Sequence, residues 1–257
     1  IRKMNCNTVS LSDDSDWATW EEHLRERGEH VKHVYLSDLD MFFSKALSLV
    51  VRDCPNLVSF RCVRCTLDDT ALVERLFHAC TKLDQISFRN IAFDTPKATV
   101  ASESAVTPYL KAHSVELLWC KSAFFDVVVR AIQPEYVVKL CTDAPDNKYL
   151  ISNWHNYTNL RSLGFGYSSP SGEELLTFAL TQCPQVVNVD VNHSNCFRPP
   201  STVKDLYSLN LDSVSVHDSD LSELVQRYKH SLTSMYIRNV YVTAASVNEV
   251  LLECTQL

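Results

Sequence analysis

The chain has 257 residues, 46% of them apolar and 21% charged, a globular composition and not a disordered one. It has no run of 18 apolar residues, which excludes a membrane-spanning helix. Its net charge of -7 and pI near 5.7 weigh against nucleic acid as the main partner, and none of its four glycines are spaced as a phosphate-binding loop requires.

Taken in chain order, one short pattern recurs: apolar-x-x-apolar-x-apolar. It reads Cys6, Val9, Leu11, then Val31, Val34, Leu36, then Leu57, Phe60, Cys62, then Leu83, Ile86, Phe88. Further copies are Val115, Leu118, Cys120; Val137, Leu140, Thr142; Leu160, Leu163, Phe165; and Val186, Val189, Val191. Leu206, Leu209, Leu211 and Leu232, Met235, Ile237 complete ten, and Leu257 starts an eleventh. The spacing holds near 26 residues, which marks a repeat architecture. One interval of 32 contains the polar stretch Asp94 to Ala105, read as a loop insertion. One of 20 contains Phe197-Arg198-Pro199-Pro200, where two prolines forbid a regular helix.

Each motif predicts a short strand, and the residues after it carry helical spacing. Leu72, Leu76 and Ala79 share one helix face, as do Leu175, Leu176, Ala179 and Leu180. Leu221, Leu224 and Val225 follow Asp218, a predicted N-cap. The dense run Phe124, Phe125, Val127, Val128, Val129, Ile132 reads as a buried element. One strand-helix unit cannot bury both its faces, but stacked units share a core. The expected fold is an α/β solenoid of about ten repeats, with parallel strands and outer helices, forming a single domain over residues 1–257. A first residue other than Met reads as a fragment of a longer chain.

No apolar signal segment opens the sequence, so a reducing compartment, cytoplasm or nucleus, is expected. The ten cysteines are then free thiols. Cys62-Val63-Arg64-Cys65 is half of a zinc motif with no second half, so it reads as core thiols and no metal or cofactor is expected. The nine histidines form no metal or catalytic cluster, and the pairs Asp13-Asp14 and Asp68-Asp69 read as turn and capping residues. Nothing here suggests an enzyme.

The junctions Cys54-Pro55-Asn56-Leu57 and Cys183-Pro184-Gln185-Val186, with Cys80 and Cys254 at the same offset, resemble those of cysteine-containing leucine-rich repeats. Cys65, eight residues after Leu57, stands at a ladder position of that repeat class, with Asn90 and Asn239 at a nearby turn. The resemblance covers essentially the whole chain. It is closest to the repeat regions of F-box/leucine-rich-repeat proteins, and looser to ribonuclease-inhibitor-like horseshoes. It implies a protein-binding repeat domain, in the first case one that selects substrates for a ubiquitin ligase, in the second an inhibitor or scaffold. No segment resembles the F-box itself.

With the motif residues turned inward, the third, fifth and seventh positions face outward on the concave sheet surface. They place Tyr35, Arg61, Arg89, Trp119 and Lys121 together as the candidate partner-binding patch. Arg and Trp combine large contact area with directed polar groups, as binding anchors do. The same projection puts Asp190, Asn192, Asn210 and Asp212 on later strands. A one-residue slip of the fifth repeat would exchange its faces and bury Trp119. RNA binding by the arginines, with Tyr35 and Trp119 stacking on bases, is the minor alternative.

Overall fold

The computed structural model describes residues 7–13, 16–39, 43–93, 108–120, 122–144, 146–166, 172–193 and 197–257. The predicted insertion from Asp94 to Ala105 lies outside them. Contacts divide the chain into two units, residues 1–137 and 138–257. In the first unit the strands are β1 (Thr8–Leu11), β2 (His33–Ser37), β3 (Ser59–Leu67), β4 (Gln85–Phe93) and β5 (Ser114–Leu118). The helices are α1 (Trp17–Arg27), α2 (Phe43–Asp53), α3 (Ala71–Ala79) and α4 (Ser122–Ala131). In the second unit β6 (Lys139–Thr142), β7 (Ser162–Phe165), β8 (Asn188–Asn192), β9 (Ser208–Asp212) and β10 (Ser234–Arg238) alternate with α5 (Lys148–Asn153), α6 (Gly172–Gln182), α7 (Asp218–Tyr228) and α8 (Ala244–Glu253). Within each unit every pairing is parallel and joins strands consecutive in sequence.

One backbone device repeats at each step. The residue before a strand offers its carbonyl to two successive N–H groups of the next strand. Lys32 O accepts from Val58 and Ser59, Val58 O from Asp84 and Gln85, and Asp84 O from His113 and Ser114. Arg161 O does the same for Val187 and Asn188, and Tyr207 O for Thr233 and Ser234. The first regular run of each strand is short because the backbone then turns. Asp38, Arg64, Asn90, Trp119, His193, Ser213 and Asn239 all have φ between 51° and 57°. Each stands two residues after the last inward side chain of its motif, so one left-handed residue breaks the regular strand in each of these repeats, and β3 and β4 resume pairing beyond it.

Most inward motif residues are buried, including Val34, Leu36, Phe60, Cys62, Ile86, Phe88, Leu163, Val189 and Leu209, while Met235 and Ile237 of β10 are half-buried. In the first unit Phe88 packs between Phe60 (centroids 5.5 Å apart) and Phe124 (4.8 Å). The predicted apolar run is α4 and the residue after it, with Phe124, Phe125, Val128 and Val129 buried on the helix and Ile132 buried in a bridge to Leu110. No helix is described around Pro199-Pro200, where Arg227 instead donates to the carbonyls of Pro199 and Val203 (2.8 and 3.1 Å). Asp218 is not the cap of α7. His217 takes that place, its N–H donating to Asp220 Oδ2 at 3.1 Å, while Asp218 accepts from Thr243 N at 2.8 Å.

The cysteine junctions have a physical role. Cys54, Cys80, Cys183 and Cys254 each close a helix by donating N–H to the fourth residue back, and each carbonyl then accepts from the next motif's first residue. Cys80 Sγ reaches Cys54 O (3.3 Å) and Cys183 Sγ reaches Trp154 O (3.4 Å), tying one repeat to the one before. Burial pushes the thiols of Cys54, Cys80 and Cys183 up to about 12, 11 and 12. A thiol with so little thiolate at neutral pH reacts slowly. Alkylation of the native protein at neutral pH, mapped by peptide mass, is expected to leave these three unlabelled long after the same residues react in denaturant. Equal rates in the two states would contradict it.

Candidate functional site

The register aligns the outward positions into rows. In the first unit the fifth position runs Ser10, Tyr35, Arg61, Ser87, Glu116, and the seventh runs Ser37, Val63, Arg89, Leu118. Tyr35, Arg61 and Arg89 therefore share one strand face, as the sequence predicts. Arg61 is exposed and its guanidinium lies 5.5 Å from the centroid of the Tyr35 ring, a cation–π arrangement. Among the described residues no carboxylate lies within ion-pair distance of Arg61.

Arg89 is different. It forms an ion pair with Glu116, which also accepts from Ser87 Oγ at 2.6 Å. Burial pushes the Glu116 carboxyl up, but the hydrogen bonds from Arg89 and Ser87 and the charges of Arg89 and Arg61 hold it below its ordinary value. A depressed carboxyl pKa stabilises the fold above the unfolded value, and that contribution is lost as pH falls through the folded value. Glu116→Gln is thus expected to cost roughly 1 kcal/mol at neutral pH, discounted for the partly exposed arginine. The gap to the native chain should narrow as pH falls below the ordinary carboxylate range. Thermal melts across that range test it, and a difference independent of pH would refute the pairing.

Glu116 is the residue the sequence reading missed, and the cause is register. The predicted fifth motif places Val115, Leu118 and Cys120 inward and Leu117, Trp119 and Lys121 outward. In the structure Ile86 pairs with Val115 and Phe88 with Leu117, so the motif is Ala112, Val115, Leu117, and all three are buried. The shift of three residues is odd, so it exchanges the faces. Ala112 is a small anchor, and the larger side chains of the shifted triplet fit the template better. The signal was the spacing: starting the repeat at Ala112 turns intervals of 32 and 22 into 29 and 25.

Trp119 nevertheless does not enter the core. It occupies the left-handed position after β5, with φ 54°, and is 53% exposed. The preceding residues in that row are Asp38, Arg64 and Asn90, and Arg64 donates to both carboxylate oxygens of Asp38 (2.5 and 2.9 Å). Asn and Asp tolerate this backbone region, whereas a bulky aromatic there is an outlier. The row thus brings Trp119 to the end of the strand face that holds Arg61 and Arg89, by a turn and not by strand alternation. Lys121 lies outside the described residues.

In the second unit the predicted outward residues Asp190, Asn192, Asn210 and Asp212 share one face. Asp190 Oδ1 accepts from Asn192 Nδ2 at 3.0 Å. Burial pushes the Asp190 carboxyl up, against the lowering effect of Asn192 and Asn210. Asp212 accepts from Ser213 and Asn239 and lies 3.7 Å from Arg238. Among the described residues no three metal-ligating side chains converge, and no helix is long and apolar enough to cross a membrane.

No protein-family model matches the chain, and no curated protein sequence does. Solved structures do. An internalin (inlF) from Listeria monocytogenes is similar over 98% of this chain, with a TM-score of 0.52 and 15% identity. TLR13, in its complex with ssRNA13, is similar over 92%, with a TM-score of 0.50 and 14% identity. This chain spans 66% of the internalin structure's chain and 33% of the TLR13 chain, less than two thirds of either. Both are leucine-rich-repeat proteins, and at these identities the likeness shows the fold: this chain is an α/β leucine-rich-repeat solenoid.

Proposed function

We propose that the chain is a single leucine-rich-repeat interaction domain, without catalytic activity, that captures a protein partner on its concave strand face. The patch is Tyr35, Arg61, Arg89 and Trp119, with Lys121 as its further member. One observation carries the reading: a tryptophan stands 53% exposed in a left-handed backbone position, at the end of the strand face that also carries an exposed arginine braced by a tyrosine ring. Strain and exposed apolar area at one residue are both unfavourable to the isolated fold, and binding compensates for them. The junction resemblance to F-box/leucine-rich-repeat proteins supports a role in selecting substrates for a ubiquitin ligase, in the cytoplasm or nucleus.

The test is quantitative capture of partners from cell extract by the native chain, by Trp119→Ala and by Arg61→Ala. Truncating an anchor is expected to cost roughly 2 kcal/mol of affinity, about thirtyfold. Both substitutions are at exposed positions, so circular dichroism melts should be near native. Full retention of every partner by both folded variants would remove the patch as the site.

A further inference from the structure

We infer that the ligand of this patch is an extended acidic peptide segment, with a carboxylate seated at Arg61 and an apolar side chain on Leu118 and Trp119. The inference rests on the concave-face reading above and names the chemistry of its partner.

The first support is the charge balance of the face. Three charged groups stand on adjacent strands: Arg61, Arg89 and Glu116. Glu116 is committed to Arg89 and Ser87. The three groups leave the face with a net positive charge, and Arg61, held by the Tyr35 ring and acting on Glu116 only at long range, has no carboxylate within ion-pair distance among the described residues. A guanidinium with a free edge selects a carboxylate through paired N–H donors.

The second support is the apolar end of the same face. Leu118 is half-buried, and Trp119 next to it is 53% exposed. Val63, also half-buried, lies in the same seventh-position row as Leu118. The face therefore grades from cationic at the fifth position of β3 to apolar at the end of β5.

The distance between the two ends sets the spacing in the ligand. β3 and β5 are two strand steps apart, about 10 Å. Leu118 and Trp119 lie two and three residues further along than the partner row of Arg61, about 7–10 Å. The diagonal is about 12–14 Å, which an extended peptide crosses in three to four residues at ~3.3 Å each. The ligand's carboxylate and its apolar side chain are thus three or four residues apart.

The experiment measures binding of fluorescein-labelled synthetic peptides by anisotropy. Each carries one glutamate and one leucine in a Ser/Gly/Asn background, separated by one to six residues. Peptides with a separation of three or four are expected to bind most tightly, and replacing their glutamate by glutamine should weaken them about tenfold. Arg61→Gln should produce the same loss on the protein side. Glu116→Gln has the opposite sign: it removes a negative charge from the face and should tighten acidic peptides several-fold, an effect a structural role alone would not give. Glu116→Asp keeps the charge and serves as the folding control. Equal binding of the acidic and neutral peptides, no binding by any of them, or weaker binding by folded Glu116→Gln would overturn the inference. So would tighter binding of a single-stranded RNA oligonucleotide, run as a separate arm. The concave-face reading survives such a failure if protein capture still depends on Trp119 and Arg61, so the two outcomes are separable.

Discussion

Phe88→Ala should lower the thermal midpoint of the protein by about 10 °C. Phe88 is fully buried in β4 and stands between two other rings, Phe60 of the preceding repeat and Phe124 of the following helix. Deleting the ring removes its transfer free energy and leaves a cavity, together roughly 3–5 kcal/mol. For a chain of this size one kcal/mol shifts the midpoint by about 2–4 °C. The loss should not be confined to one repeat. In a repeat array each unit is stabilised by its neighbours, and this side chain forms part of two such interfaces. Phe88→Leu keeps most of the apolar volume and should lose less than half as much. Melts by circular dichroism, with amide exchange over β3 to β5, make the comparison. A fall under about 3 °C for the alanine variant would mean that the three rings do not form the structural spine of the first unit.

The sequence specified the repeat unit well because its signal is redundant. Nine other inward triplets constrain each one, and the junction cysteines Cys54, Cys80, Cys183 and Cys254 punctuate them independently. The outward positions have no such redundancy. A strand face is legible only once its register is known, and the fifth repeat shows how one weak anchor, Ala112, misdirects an entire face. Tyr35, Arg61 and Arg89 fall where the pattern puts them because their triplets are strong. Glu116 was hidden by the slip, and with it the neutralisation of Arg89. Trp119 was assigned outward for the wrong reason. Its exposure follows from its own place in the left-handed turn position after β5, a feature that apolar periodicity does not encode. Asn90 and Asn239 pointed to that turn, but residues as different as Asp38, Arg64, Trp119 and Ser213 occupy it too.

Gly28→Ala is the second large effect, and it is an effect of space. Gly28 caps α1 with φ -59°, a conformation alanine adopts freely. On backbone entropy alone the substitution would stabilise by about 0.4–1 kcal/mol. The neighbours reverse the sign. A Cβ on Gly28 would lie 2.3 Å from the Asp53 carbonyl oxygen and 2.8 Å from its carbon, at the last residue of α2. Those are backbone atoms, and no side-chain rotation relieves the overlap. Either α1 or the end of α2 must move, at about 3 kcal/mol by comparison with other overpacked sites. Gly164 provides the contrast. Its Cβ would meet Cys141 Sγ at 2.2 Å, but the next atom, Cys141 Cβ, is 3.4 Å away. Only a thiol stands in the way there. Gly164→Ala should therefore cost less, and adding Cys141→Ala should restore most of the loss. For Gly28→Ala, no truncation of Asp53 should help, because alanine at position 53 keeps the offending carbonyl. Denaturant melts of the four variants decide the matter: rescue at Gly28 by Asp53→Ala, or none at Gly164 by Cys141→Ala, would show that the two contacts have been assigned to the wrong atoms.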